Sequence, residues 1–181
     1  MTSRNPTSKE ERDHVDRFLE QIVEILPALD PAVEGIVDRT MGISRRLKRM
    51  LEETLADYDL TYGEWQVLGS LRQAGPPYRR SPGRLASRTE LSSGAMTNRL
   101  DRLEKAGLVE RSPDPDDRRA VLVELTPKGK KVYEDAVEVQ ARKEALVAAA
   151  LNDDEKEQLN ALLRRLMITL ERREKGEAAD A

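Results

Sequence analysis

The stretch that decides the fold runs from Ser92 to Val132, SSGAMTNRLDRLEKAGLVERSPDPDDRRAVLVELTPKGKKV. Its first part, Ser92 to Gly107, places Met96, Leu100 and Leu103 on one side of a helix and Gly94, Ala95, Asn98, Asp101, Arg102 and Lys105 on the other. Leu108 to Ser112 and Ala120 to Leu125 then alternate with the period of a strand. The polar run Pro113 to Arg119 separates them, which predicts a hairpin with a long tip. Thr126-Pro127 supplies a cap and a proline at the first helical position, so a further helix opens there.

Working outward, Ser81-Pro82 starts a short helix through about Thr89, and Glu90 to Ser93 turn the chain into the helix above. Two short helices joined this tightly read as helix-turn-helix. Before them, Thr61 and Glu64 form a capping box for a helix bearing Trp65, Leu68 and Leu71, stopped by Gly75-Pro76-Pro77. Tyr78 to Arg80 reads as irregular. Farther upstream, Ser8 and Glu11 cap a first helix with Val15, Phe18, Leu19, Ile22, Val23 and Leu26, ending near Pro27. Asp30-Pro31 opens a long second helix to about Tyr58 along Ile36, Ile43, Leu47, Met50 and Leu55. Downstream, Val132, Ala136, Val139, Leu146 and Ala150 mark one helix. Asn152 with Glu155 caps a last one bearing Leu159, Leu162, Leu163, Leu166, Met167 and Leu170. The fold class is mainly α (α+β): a winged helix-turn-helix over 59–126, an N-terminal helical arm over 1–58, C-terminal helices over 127–173, and a frayed tail over 174–181.

Composition narrows the chemistry. At 181 residues the chain can close a core without staples, and 36% charged with 3% aromatic residues suits long, ion-paired helices. No cysteine and a single histidine, His14, exclude disulfides, a thiolate or multi-histidine metal site and a cysteine nucleophile. With no glycine-rich phosphate loop and no recognisable carboxylate pair, neither an enzyme nor a cofactor is expected. The longest apolar run, Ala145 to Leu151, is too short to cross a bilayer, and the expected location is the cytoplasm. The net charge of −3 conceals a division: Arg72 to Lys131 holds 14 Arg/Lys against 8 Asp/Glu, a local +6, and the remainder is −9. Phosphate binding depends on the local field at the contact surface, so a basic middle with acidic ends is compatible with double-stranded DNA as partner.

Ser92, Ser93 and Gly94 open the helix with small and hydroxylated residues, letting backbone amides approach a phosphate. Ser92, Ser93 and Thr97 suit phosphate contacts, Asn98 suits an adenine edge and Arg102 a bidentate guanine contact. In the hairpin tip, Arg118 and Arg119 could enter a minor groove, with a neighbouring carboxylate holding the guanidinium plane. An ordinary amphipathic surface helix and a self-neutralising loop are the competing readings. A protein-interaction module without specific DNA binding is the alternative function.

The same segment resembles the MarR family of bacterial transcriptional regulators over roughly Ile36 to Leu170. Asp117 and Arg119 match the family's D-x-R wing motif, Leu125-Thr126-Pro127-Lys128-Gly129 its L-T-x-x-G, and Leu103 to Leu108 its L-x-x-x-G-L. The resemblance implies a homodimer with interlaced terminal helices and two winged lobes presented to successive major grooves. The leading reading is a DNA-binding repressor, with Asp117 the carboxylate that orients the wing arginine. The extra first helix resembles the urate-responsive subgroup, whose effector pocket combines a tryptophan, an acid and two arginines. Arg99 and Arg111 stand at the arginine positions, but Ile22 and Gln66 replace the tryptophan and the acid, so urate does not carry over. A small anionic or aromatic effector beside Tyr62, Trp65, Arg99 and Arg111 is the corresponding expectation, with packing and ion pairing of the two arginines as the competing reading.

Overall fold

The computed structural model describes residues 12–89, 92–115 and 120–176, and the chain divides into two units, Met1–Tyr62 and Gly63–Ala181. The first holds α1 (His14–Ile25) and α2 (Pro31–Ala56). Asp13, rather than Ser8, caps α1: its side chain accepts from the Val15 and Asp16 amides while Asp16 reaches back to the Asp13 amide. This box lies directly before Val15, the buried residue of α1, so the helix begins where burial begins. Ser8 and Glu11 lie outside the described residues. Asp30 and Pro31 start α2 as expected, the Asp30 carboxylate accepting from the Ala32 amide at 2.8 Å.

Arg39 of α2 clasps α1, its Nε donating to Asp13 Oδ2 at 3.0 Å and its Nη2 to Asp16. Buried Gly35 and Gly42, two turns apart on α2, allow the close approach. A Cβ at position 35 would stand 3.3 Å from Leu19 Cδ1. The Arg39 guanidinium holds the Asp13 carboxyl down at about 2. A carboxyl depressed in the folded state contributes stability above its unfolded value, and that contribution is lost as pH falls toward the folded one. Amide exchange at Val15 is therefore expected to accelerate as pH drops from the ordinary carboxylate range to about 2, beyond the intrinsic pH dependence. Arg39→Ala should abolish that excess, and an unchanged profile would show that the clasp does not hold α1.

The second unit contains most of α3 (Tyr62–Arg72), then β1 (Arg79–Arg80), α4 (Pro82–Arg88), α5 (Ser93–Lys105), β2 (Val109–Pro113), β3 (Val121–Leu125), α6 (Pro127–Ala148) and α7 (Asp153–Glu174). Leu68 and Leu71 of α3, Leu85 of α4, Met96, Leu100 and Leu103 of α5, and Val109 and Val123 of the sheet form its core. The sheet is antiparallel in the order β1-β3-β2, with Arg111 opposite Val123 and Arg80 opposite Val123 on the other edge. The hairpin is as expected, and Asp114 N donates to Ala120 O at 3.0 Å across the base of its tip. β1 corrects the irregular reading of Tyr78 to Arg80. Two residues have no periodicity of their own, and only pairing with Glu124 and Val123 makes them a strand.

The L-T-x-x-G run fastens α6 to the end of α5. Thr126 Oγ1 donates to Gly107 O at 2.8 Å, Lys128 Nζ to Ala106 O at 2.7 Å and Thr126 N to Leu108 O at 3.1 Å. Three consecutive carbonyls that would otherwise lack partners at a helix C-terminus are thus satisfied by one segment. Gly107 makes the turn at φ +70°, and Thr126 also caps α6 by accepting from Gly129 N at 2.9 Å. Asn152 and Glu155 form the expected capping box of α7, which runs to Glu174 and has no buried residue in the single chain. Of the tail expected from 174, residues 177–181 lie outside the described residues. Among the described residues no helix is long and apolar enough to cross a membrane.

Candidate nucleic-acid interface

Ser92 is the N-cap of α5, its hydroxyl accepting from Ala95 N at 3.3 Å. Met96, Leu100 and Leu103 are buried, which fixes the helix rotation and leaves Ser92, Ser93, Gly94, Thr97 and Asn98 exposed. A Cβ at Gly94 would meet nothing within 4 Å, so the first turn is open to an approaching ligand. Thr97 differs from expectation in one respect: its hydroxyl donates to Ser93 O at 3.0 Å, which ties up the proton a phosphate contact would use. Glu90 and Leu91 of the helix-helix turn lie outside the described residues. So do Asp117, Arg118 and Arg119, the wing residues singled out in the sequence.

Arg102 does not project independently. Its Nε forms an ion pair with Glu64 Oε1 of α3 at 3.0 Å, and Glu64 is 2% exposed. Arg99, one turn earlier on the same side, lies over the start of α3. A Cβ at Gly63 would stand 2.3 Å from Arg99 Nε, and Arg99 Nη1 donates to Ala95 O at 3.3 Å. Arg111 of β2 reaches α5 at other positions, with Nη2 on Asp101 at 2.7 Å and Nη1 on Glu104 at 2.9 Å.

These contacts bear on the effector expectation. At about 100° per residue, Asp101 and Glu104 lie about 140–160° around α5 from Arg99, so the two arginines are drawn to different sides of the helix. Arg111 is already neutralised by two carboxylates, which a ligand anion would have to displace. Trp65 packs against Tyr133 of α6 with ring centroids 5.7 Å apart, and Tyr62 is exposed. Arg99 and Arg111 therefore hold different partners in this structure.

Glu64, read from the sequence as a capping residue, and Lys128, read as part of the L-T-x-x-G run, hold partners that sequence reasoning did not assign to them. Glu64 carried a signal, because it precedes Val67, Leu68 and Leu71 by three, four and seven residues and so lies on the buried stripe of α3. Lys128 carried none, since its partner is a backbone carbonyl 22 residues earlier.

Comparison with known proteins matches residues 58–120 to the MarR family model. The chain is 32% identical over 140 residues to the HTH-type transcriptional regulator PecS of Dickeya dadantii, covering 77% of this chain and 84% of that one. A crystal structure of mutant MarR from E. coli complexed with operator DNA superposes with a TM-score of 0.60 at 30% identity, covering 80% of this chain and 96% of the other. A MarR family protein from Bacillus stearothermophilus superposes with a TM-score of 0.67 at 25% identity, covering 78% and 98%. The exposed helix opening, the three-stranded wing and the clamp between α5 and α6 thus accompany a likeness that extends over most of the chain, and the chain belongs to the MarR family of winged-helix transcriptional regulators.

Proposed function

We infer that this chain is a sequence-specific repressor that acts as a homodimer on a pseudo-palindromic operator. The observation that carries the reading is α5, whose rotation is fixed by three buried apolar residues and whose exposed face over the first two turns is small and polar. Such a helix start enters a major groove, with backbone amides on phosphate and Asn98 on a base edge. Support for the dimer comes from α7, where Leu162, Leu166, Met167 and Leu170 are all about half exposed in the single chain. A stripe of that size calls for a second apolar surface. Half-site centres about 10 bp apart, or a small multiple, would follow from two lobes on one face of the duplex. Because Arg111 is paired with Asp101 and Glu104, an effector that engages it would have to displace these carboxylates.

The test is fluorescence anisotropy at several fixed salt concentrations, using a duplex enriched by the full chain from a randomised library and a scrambled control. A preference of roughly 10³-fold is expected. Asn98→Ala should lower the preference by about tenfold or more, as loss of one base contact of 1–3 kcal/mol predicts. Equal affinity for both duplexes would overturn the reading and favour the winged lobe as a protein-interaction module.

A further inference from the structure

We propose that Glu64 is a positioning residue for DNA binding, holding Arg102 as a clamp on a phosphate flanking the major groove; this rests on the DNA-binding reading above. The pair is unequal in burial: Glu64 has a side chain 3% exposed, whereas that of Arg102 is 66% exposed. A carboxylate is costly to bury, and one that is buried with a partner fixes that partner's place. Here Nε is held on Glu64, while the guanidinium's two terminal amino groups belong to a largely solvent-exposed side chain. Two terminal nitrogens offered side by side suit the paired oxygens of a phosphate.

Position along α5 selects phosphate over a base edge. Arg102 lies nine residues after Ser93, roughly 14 Å along the axis, and the major groove is about 12 Å wide. A helix that enters by its N-terminal turn has therefore crossed the groove by Arg102 and meets the flanking backbone. Arg102 shares a stripe with Asn98 and Lys105 at spacings of four and three, so the groove-facing side of α5 ends in two cations. Arg99, lying on Gly63, braces the same first turn of α3. This assignment replaces the guanine contact expected of Arg102 from the sequence.

Glu64→Leu tests the proposal, because it removes the carboxylate that holds Arg102 Nε and leaves that arginine solvated. Expected is affinity lower by roughly tenfold for the enriched and the scrambled duplex alike, in a chain that circular dichroism shows to be folded. The slope of log K against log salt should be shallower by about 0.9, the value for one phosphate. Adding Arg102→Ala to Glu64→Leu should change affinity by less than about twofold. Glu64→Gln, which keeps an oxygen acceptor for Nε, should restore binding to within about threefold of the parent. Parental affinity and slope in Glu64→Leu would overturn the proposal, as would a loss confined to the enriched duplex. The parent's own preference for the enriched duplex judges the regulator reading separately.

Discussion

Gly129→Ala is expected to destabilise the second unit by about 3–5 kcal/mol or to prevent its folding, the largest effect predicted for a single methyl group in this chain. A Cβ at that position would stand 1.9 Å from Leu108 O and 2.8 Å from Leu108 C, both backbone atoms that no rotamer change can move. To admit it, α6 must lift away from the end of α5. That would stretch the bonds from Thr126 to Gly107 O and from Lys128 to Ala106 O, and expose Leu108, now 5% accessible. For a chain of this size, the loss corresponds to a Tm lower by about 10 °C. Thermal unfolding followed by circular dichroism measures it, with Gly94→Ala as the comparison, since a Cβ there meets nothing within 4 Å. Gly94→Ala should leave Tm unchanged or slightly raised, because alanine is the better helix former. Equal Tm for the parent and Gly129→Ala would show that the clamp does not set the packing of α6 on α5.

Leu166→Glu on α7 is expected to leave each chain folded while converting a dimer into monomers and lowering operator affinity by about 10²–10³. The side chain is 47% exposed in the single chain, so a carboxylate there keeps much of its hydration when the chain stands alone. Opposite a second copy, the same carboxylate would be desolvated among Leu162, Leu163 and Leu170, which is far more costly. Binding two half-sites through one dimer makes the second contact intramolecular, and separating the chains forfeits that effective concentration. Sedimentation velocity gives the mass, and anisotropy on the enriched duplex gives the affinity. A Leu166→Glu protein that sediments as the parent does would place the dimer interface elsewhere. A monomer that retains parental affinity would show that one lobe suffices.

Much of the winged lobe was legible because its signals are local. Ser92, Thr126-Pro127 and Asn152 with Glu155 each cap the helix they precede. The apolar spacing of Met96, Leu100 and Leu103 alone settles which side of α5 is buried. The hairpin was equally plain, since its strands pair one residue from where the alternation placed them. At the chain's start the reading failed by local ambiguity: both Ser8 with Glu11 and Asp13 with Asp16 fit a capping box. Contact of Arg39 with Asp13 and Asp16 accompanies the second.

What the sequence determined by itself is the order of the helices and the hairpin, the buried side of α3 and α5, and membership of a winged-helix family, because capping, helical period and strand alternation are properties of neighbouring residues. Tertiary structure alone decided which polar groups work together. Arg99, Arg102 and Arg111 look interchangeable along the chain. Yet the first lies on Gly63, the second is held by a buried carboxylate, and the third is neutralised by Asp101 and Glu104. β1 exists only by pairing with β3, and Lys128 acts only because Ala106 O is 2.7 Å away. A charged side chain several bonds long can reach partners in any direction its helix allows, so its role is settled by which element packs within its reach.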